Sequence, residues 1–461
     1  MEVRSGILLG LGLLTVIACR KEETITPYEE LSGGVNGTVY DQSVNAFGHQ
    51  MPGMVGDGEL LFFVGNSFFR QNWVSAPAST SARDGVGPLL NARSCSSCHF
   101  KDGRGAPFLA NGDEATGFLI RLSIGTDEHG GPLGDPNYGG QFNDLSIQTV
   151  NEEGDVEVTY EYISGTYDDG TPYTLRKPIY TLTNLNYGPL DPGIMTSPRV
   201  GQQMIGLGLL EAVSDETILA LADEYDANGD GISGKVNYVW DVVSESHEIG
   251  RFGWKSNKPN LIQQVAGAFI GDLGIKSPLF PNENHTDLQT ECLDLPDGGT
   301  YEIEEDDLYK TYLYCATLAV PARRSVNNET VKEGEQLFRE MDCAKCHIPN
   351  MLTGSTHELT YLNNQYIQPF TDLLLHDMGE ELADNRPDYL ATGTEWRTQP
   401  LWGIGLIETV NGHTYLMHDG RARNIEEAIL WHGGEAENAK NQFKALTATQ
   451  RQALITYLNT L

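Results

Sequence analysis

The sequence predicts a mainly α chain of two domains, the first interrupted by a small antiparallel β insertion. Three observations carry this expectation. The pattern Cys-x-x-Cys-His occurs twice, at residues 95–99 and 343–347. Apolar residues recur at helical spacing around the second pentad, in residues 330–338 before it and 450–459 at the chain end. A β-rich composition punctuated by Gly and Asp is confined to residues 117–190. A chain of 461 residues, 39% hydrophobic, is long enough for two or three domains with a sizeable core. The expected divisions are a signal peptide over 1–18, a tether over 19–42, a first domain over 43–322 and a second over 323–461.

The pentads point to covalent c-type haem. Two thiols on one turn can each form a thioether to a vinyl group, and the adjoining His then gives the iron its fifth ligand. The candidate attachment residues are Cys95, Cys98 and His99, and Cys343, Cys346 and His347. A Cys-x-x-Cys pair also suits a dithiol redox centre or half a zinc site. Two pentads, each with its His, in a chain that looks exported favour two haems. A single zinc site made of all four Cys is the remaining alternative.

The formal net charge is −34, from 30 basic and 64 acidic side chains. Such a surface repels phosphate backbones and excludes nucleic acid as a partner. It suits a cationic electron-donor protein or a small redox substrate, and it equally keeps an exported protein soluble. The N-terminus reads as an address. Arg4 precedes an apolar run over residues 7–17, too short for an ordinary membrane span. The run ends in Val16-Ile17-Ala18-Cys19, which resembles a bacterial lipobox, so Cys19 is the expected lipid anchor. A plain secretory signal is the alternative. The expected location is therefore outside the cytoplasm on a bacterial membrane. Of seven Cys, two are left over, and Cys292 and Cys315 are expected to pair as a disulfide. Two free buried thiols are the alternative.

Along the first domain, Gly-rich turns flank the first pentad and would let backbone lie close to a flat ligand. Arg104, in the turn after it, is placed to meet a haem propionate. Strands are expected within residues 118–124, 156–162 and 173–176. Helical periodicity returns at Pro198 and runs through 200–211, and Ser214 N-caps the next helix. Residues 226–234 (DANGDGISG) match the first half of an EF-hand loop, with Asp226, Asn228, Asp230 and the Ile232 carbonyl as calcium ligands. The twelfth position is Asn237 rather than Glu, so the match is partial; an Asx-rich turn is the alternative. Further helices are expected over 262–270 and 309–317. A helix, a haem pentad, loops and a last helix give the second domain a cytochrome c-like arrangement.

Several longer segments carry a family resemblance. They are residues 93–99 (RSCSSCH), 252–255 (FGWK), 375–379 (LHDMG), 395–403 (EWRTQPLWG) and 418–436 (HDGRARNIEEAILWHGGEA). The chain resembles the di-haem oxidoreductases labelled thiol oxidoreductases, relatives of bacterial di-haem cytochrome c peroxidase and of the di-haem enzyme MauG. The resemblance covers most of the mature chain and is most specific in the second domain. It implies two haems in two cytochrome c-like domains. The C-terminal haem is then six-coordinate and stores an electron, and His432 stands where the family has a Met or Tyr as sixth ligand. Met417 and Met378 are fallback ligands. Arg397, His418 and Arg421 match positions near the haem edge, where Arg–carboxylate pairing would hold propionates. The N-terminal haem is then the reactive one. The family's Glu acid–base group maps best to Glu211, and Trp254 is a relay between haems. His129 is the nearest counterpart of a distal His. The expected function is an exported, peroxidase-like di-haem oxidoreductase. The alternatives are a non-catalytic electron-transfer lipoprotein and a surface protein of iron acquisition. The thiol-oxidoreductase label gains no support, because every Cys has another role.

Overall fold

The computed structural model describes residues 29–80, 82–111 and 117–461. The signal segment and Cys19 lie outside them. Among the described residues, no helix is long and apolar enough to cross a membrane.

The chain is not mainly α. Of the described residues, 28% are helical and 20% lie in strands, the strands forming many small sheets. In chain order the elements that position the site are α1 (Asp57–Arg70), β1 (Phe118–Ser123), β2 (Gln141–Phe142), β3 (Asp155–Thr166), β4 (Pro172–Thr183), β5 (Met195–Val200), α2 (Leu261–Leu273), α3 (Glu305–Ala316), α4 (Glu329–Glu340), α5 (Ile425–Trp431) and α6 (Ala448–Leu458). β1 is the centre of an antiparallel sheet, pairing with β5 on one side and β2 on the other. β3 and β4 form a separate long hairpin, in register from Asp155↔Thr183 to Thr166↔Pro172. The helical excess was over-read because long stretches of the second unit are turns. The segment from Pro198, expected as helix, is the end of strand β5 followed by a short helix over Leu207–Glu211. There, Gly201 and Gly206 sit against neighbouring side chains and break the helical run.

Two equivalent helix crossings frame the fold. In the first, Gly65 of α1 lies against the Lys310 carbonyl and Tyr314 of α3. In the second, Gly334 of α4 lies against the Ala453 carbonyl and Tyr457 of α6. Four residues after each glycine comes a phenylalanine on the same helical face. Phe69 packs on Tyr314 and His99, with ring centroids 5.1 and 6.3 Å apart. Phe338 packs on Tyr457 and His347, at 5.5 and 6.4 Å. Each unit thus brings an entry helix across a later one and presses an aromatic ring on the pentad His. Caps fix where helices begin. Ser214 accepts from Thr217 N–H, Asn328 from Thr330 and Val331, and Thr447 closes a capping box with Gln450.

The units are interleaved. Residues 29–42, expected as tether, belong to the fold: residues 38–39 pair in parallel with 320–321, and Asn36 bonds to Gln365 and the Tyr361 carbonyl. The hairpin tip reaches the second unit, where Arg451 covers Tyr167 and pairs with Asp169 at 2.9 Å.

The disulfide expectation is overturned. Cys292 and Cys315 are free buried thiols in separate apolar clusters, Cys292 with Leu89 and Val150, Cys315 in the main core on α3.

Gly334→Ala tests the second crossing. Its methyl would overlap the Ala453 carbonyl, so the variant is expected to lose about 1–3 kcal/mol of stability in denaturant unfolding. Unchanged stability would remove this contact from the frame.

Candidate di-haem site

Both pentads fold as one helical turn closed in the same way. His99 N–H donates to the Cys95 carbonyl at 2.9 Å, and His347 N–H to the Cys343 carbonyl at 3.0 Å. This turns the two sulfurs and the imidazole toward one region. All four pentad Cys are free thiols. Burial pushes Cys95 and Cys343 up to about 12 and raises Cys98 and Cys346 as well. Thiols held protonated are poor dithiol redox centres. Among the described residues the four Cys do not come together, so the single zinc site falls away.

The imidazoles show what they are set up to bind. His99 Nδ1 lies 2.7 Å from the Gln202 carbonyl, His347 Nδ1 2.9 Å from that of Phe370, and His432 Nδ1 2.7 Å from that of Ala428. A carbonyl only accepts, so Nδ1 carries the proton in each ring and Nε2 keeps its lone pair. Burial lowers all three pKa values, His347 to about 4. Neutral imidazole with Nδ1–H anchored to backbone is the arrangement of a metal-ligating His.

In the second unit these groups line a cleft. His347 and His432 face each other across it, ring centroids 6.5 Å apart. That spacing accommodates one metal between two Nε2 atoms, each His N–metal bond being about 2 Å. His432 sits at the C-cap of α5, where the chain turns before Gly433. Cys343, Cys346, Met378 and Met417 share the lining. The residues present therefore fit a covalently held haem with two His ligands.

The edge residues divide. Arg397 lines the cleft, donates to the Arg251 carbonyl (2.6 Å) and Gln399 (2.7 Å), and keeps a buried Nε–H without a partner. It is the cation best placed for a propionate. His418 also lines the cleft, stacked on Trp396 at 3.9 Å. Arg421 is absent from the lining: it chelates Asp419 (Nη2 at 2.8 Å, Nε at 2.9 Å) and covers Trp431. Arg104 lines the cleft of the other unit, donating to the Tyr415 and Met417 carbonyls with its guanidinium over Trp254. His376, not singled out from the sequence, lies 3.7 Å from Cys346 Sγ and is held by Asp372 at 2.8 Å and Glu435 at 2.7 Å. Its signal was the buried Asp372–His376 spacing, one helical-type step apart but on a strand edge.

Trp254 joins the two sites. Its ring lines the second cleft, and Nε1–H donates to the Val200 carbonyl at 2.9 Å. Two residues on, the Gln202 carbonyl anchors His99. Glu211 is engaged elsewhere. Its oxygens accept from Leu261 N–H (2.7 Å), Tyr312 (3.1 Å) and His357 (3.2 Å). His129 is stacked on Trp240 at 3.7 Å, in a surface turn. In the loop over 226–234, Asp226 and Asn228 accept from the loop's own N–H groups, and Asp230 pairs with Lys345 at 3.2 Å.

Two anchored pentads, with a third anchored His facing the second, define a redox protein with two haem sites. The chain belongs to the family described as "Di-haem oxidoreductase, putative peroxidase", which matches residues 28–461. Among solved structures it is similar to hydrazine synthase of Kuenenia stuttgartiensis, pressurised with xenon, at 13% identity and a TM-score of 0.32, covering 88% of this chain and 92% of that one. No curated protein sequence matches it.

His432→Ala in haem-loaded protein is expected to turn the second iron from low-spin to high-spin and open it to carbon monoxide. An unchanged low-spin EPR signal would assign the sixth ligand to another residue.

Proposed function

We propose that the chain is an exported c-type di-haem oxidoreductase of peroxidase type, its C-terminal haem supplying electrons to a reactive N-terminal haem. The observation that carries this is the asymmetry of the ligand His residues. The second site has two anchored imidazoles face to face, 6.5 Å apart, which suits an electron-storing iron closed on both sides. The first has His99 anchored, with no such partner ring among the described residues. When bound, the haems supply one-electron chemistry and, at an open iron, peroxide reduction.

The protein's own groups do the rest. The backbone carbonyls hold each His neutral and oriented. Aromatic walls, Phe69 and Phe338, exclude water behind the ligand rings. Trp254, hydrogen-bonded to the strand end that anchors His99, is the bridge between the sites. Arg397 holds carboxylate at the second site. The net charge of −34 suits a cationic electron donor. The N-terminal address supports a lipid tether at Cys19, at the periplasmic face of a bacterial membrane or at the cell surface. The loop over 226–234 remains a calcium site in this reading, its Asx-type turns resembling half an EF-hand.

One observation favours a second reading, a non-catalytic electron carrier. Glu211 is fully engaged by a helix N-terminus, Tyr312 and His357, which leaves the first site without the acid–base group that peroxide cleavage uses.

Peroxide mixing separates the two. With the reduced haem-loaded protein, an oxidoreductase of this type oxidises both haems, and Trp254→Phe slows oxidation of the second at least tenfold without changing carbon monoxide binding at the first. Two low-spin irons that ignore carbon monoxide and peroxide would select the carrier.

A further inference from the structure

Two partly exposed cations near the first pentad have no hydrogen-bonded or ion-paired partner, Lys258 Nζ lying only over the Phe280 ring at 5.6 Å. Arg121, on β1, and Lys258, just before α2, make no side-chain hydrogen bond or ion pair among the described residues. Their neighbours Arg199, Lys255 and Arg386 already share Asp384 and Asp388. Lys255 bonds Asp384 at 2.7 Å, and Arg386 and Arg199 reach Asp388 at 3.1 and 3.4 Å. Those two carboxylates face three cations before Arg121 and Lys258 are added. Asp272, the remaining acid that acts on Arg121, accepts from Gln141 at 2.9 Å. Charge left without a counter-charge in a low-dielectric surrounding is strongly unfavourable.

Both side chains keep accessible surface. The glycine contacts outline a space beside both cations. One wall of that space is α2, where Gly267 and Gly271 lie one turn apart. A methyl on Gly267 would stand 3.9 Å from Lys258 Nζ, and one on Gly271 3.7 Å from Arg121 Nη1. Asp272, next along, acts on Cys95, Cys98, His99 and Arg121 alike. Another wall is β1. Just before it stands Gly117, whose added methyl would run into the Cys98 backbone. Phe118, Ile120 and Leu122 enter the core, so Leu119 and Arg121 share the opposite face. Arg121 lies four residues beyond Gly117, about 13 Å at 3.3 Å per residue.

A porphyrin bound through its vinyl groups carries its two propionates on the opposite edge. We propose that Arg121 and Lys258 are the propionate clamp of the first haem, reached across the glycine face of α2. This rests on the di-haem reading above. Arg pairs with carboxylate through its fork and Lys as a point charge, so the two cations supply the charge that two propionates require.

The test uses haem-loaded protein with Arg121→Met, Lys258→Met and the conservative Arg121→Lys. Haem content is measured first by pyridine haemochrome, then the midpoint potential of each haem against pH. With the clamp in place, each Met variant keeps two covalent haems. It shifts the first haem's potential downward, leaves the second's unchanged, and gives the first a new pH dependence as the freed propionate titrates. Arg121→Lys restores most of the shift. Unchanged potentials, or a fall without new pH dependence, would overturn the clamp. Loss of a low-spin signal in Lys258→Met would make Lys258 an iron ligand and also overturn it. A wild-type protein with fewer than two haems would instead refute the di-haem reading.

Discussion

The structure turns on one repeated hydrogen bond, from an imidazole Nδ1–H to a backbone carbonyl. Gln202, Phe370 and Ala428 supply those carbonyls. None of the three could be replaced by a side-chain change, because the acceptor is the main chain. The fold must therefore bring the right peptide unit to each ring. The strand β5 that ends at Val200 serves His99, and the α5 C-terminus serves His432. Each bond fixes which nitrogen keeps its lone pair, and burial keeps the ring neutral. The glycine helix crossings serve the same end, seating Phe69 and Phe338 on the rings.

The same constraint brings groups of the two sites onto one short segment. Val200 accepts from Trp254, donates its N–H to the His418 carbonyl at 2.8 Å, and leads two residues later to the carbonyl that holds His99. Residues 200–202, at and just past the strand end, thus touch His99, the Trp254 indole and His418 of the second cleft. Displacing them would disturb both sites together.

What was legible in the sequence was chemistry carried by local spacing. The pentads are contiguous, so their one-turn geometry followed from five residues. His432 was reachable only through resemblance, since nothing local ties it to residue 347. The carbonyl anchors left no trace, because a backbone acceptor has no sequence signature. Periodicity misled where glycine governed: residues 200–211 read as one tightly packed helix, yet close approach by Trp402 and Val320 at Gly206 requires an irregular chain before the short helix over Leu207–Glu211. That is one reason the α content was over-read. Counting Cys paired Cys292 with Cys315, but their elements pack in different clusters. Arg421 and Glu211 have the expected residue types, with partners elsewhere in the fold already engaging them. Gly65 with Phe69 and Gly334 with Phe338 form a repeat too sparse to notice before the crossings were seen.

The central claim is that each pentad holds one haem through its own two thiols. Intact mass of the denatured, haem-loaded protein measures this directly, for the wild type and for Cys95→Ala and Cys346→Ala. The account predicts two covalent haem additions in the wild type and impaired attachment at the altered pentad alone in each variant. Variants that keep two covalently bound haems, or a wild type with none, would contradict it.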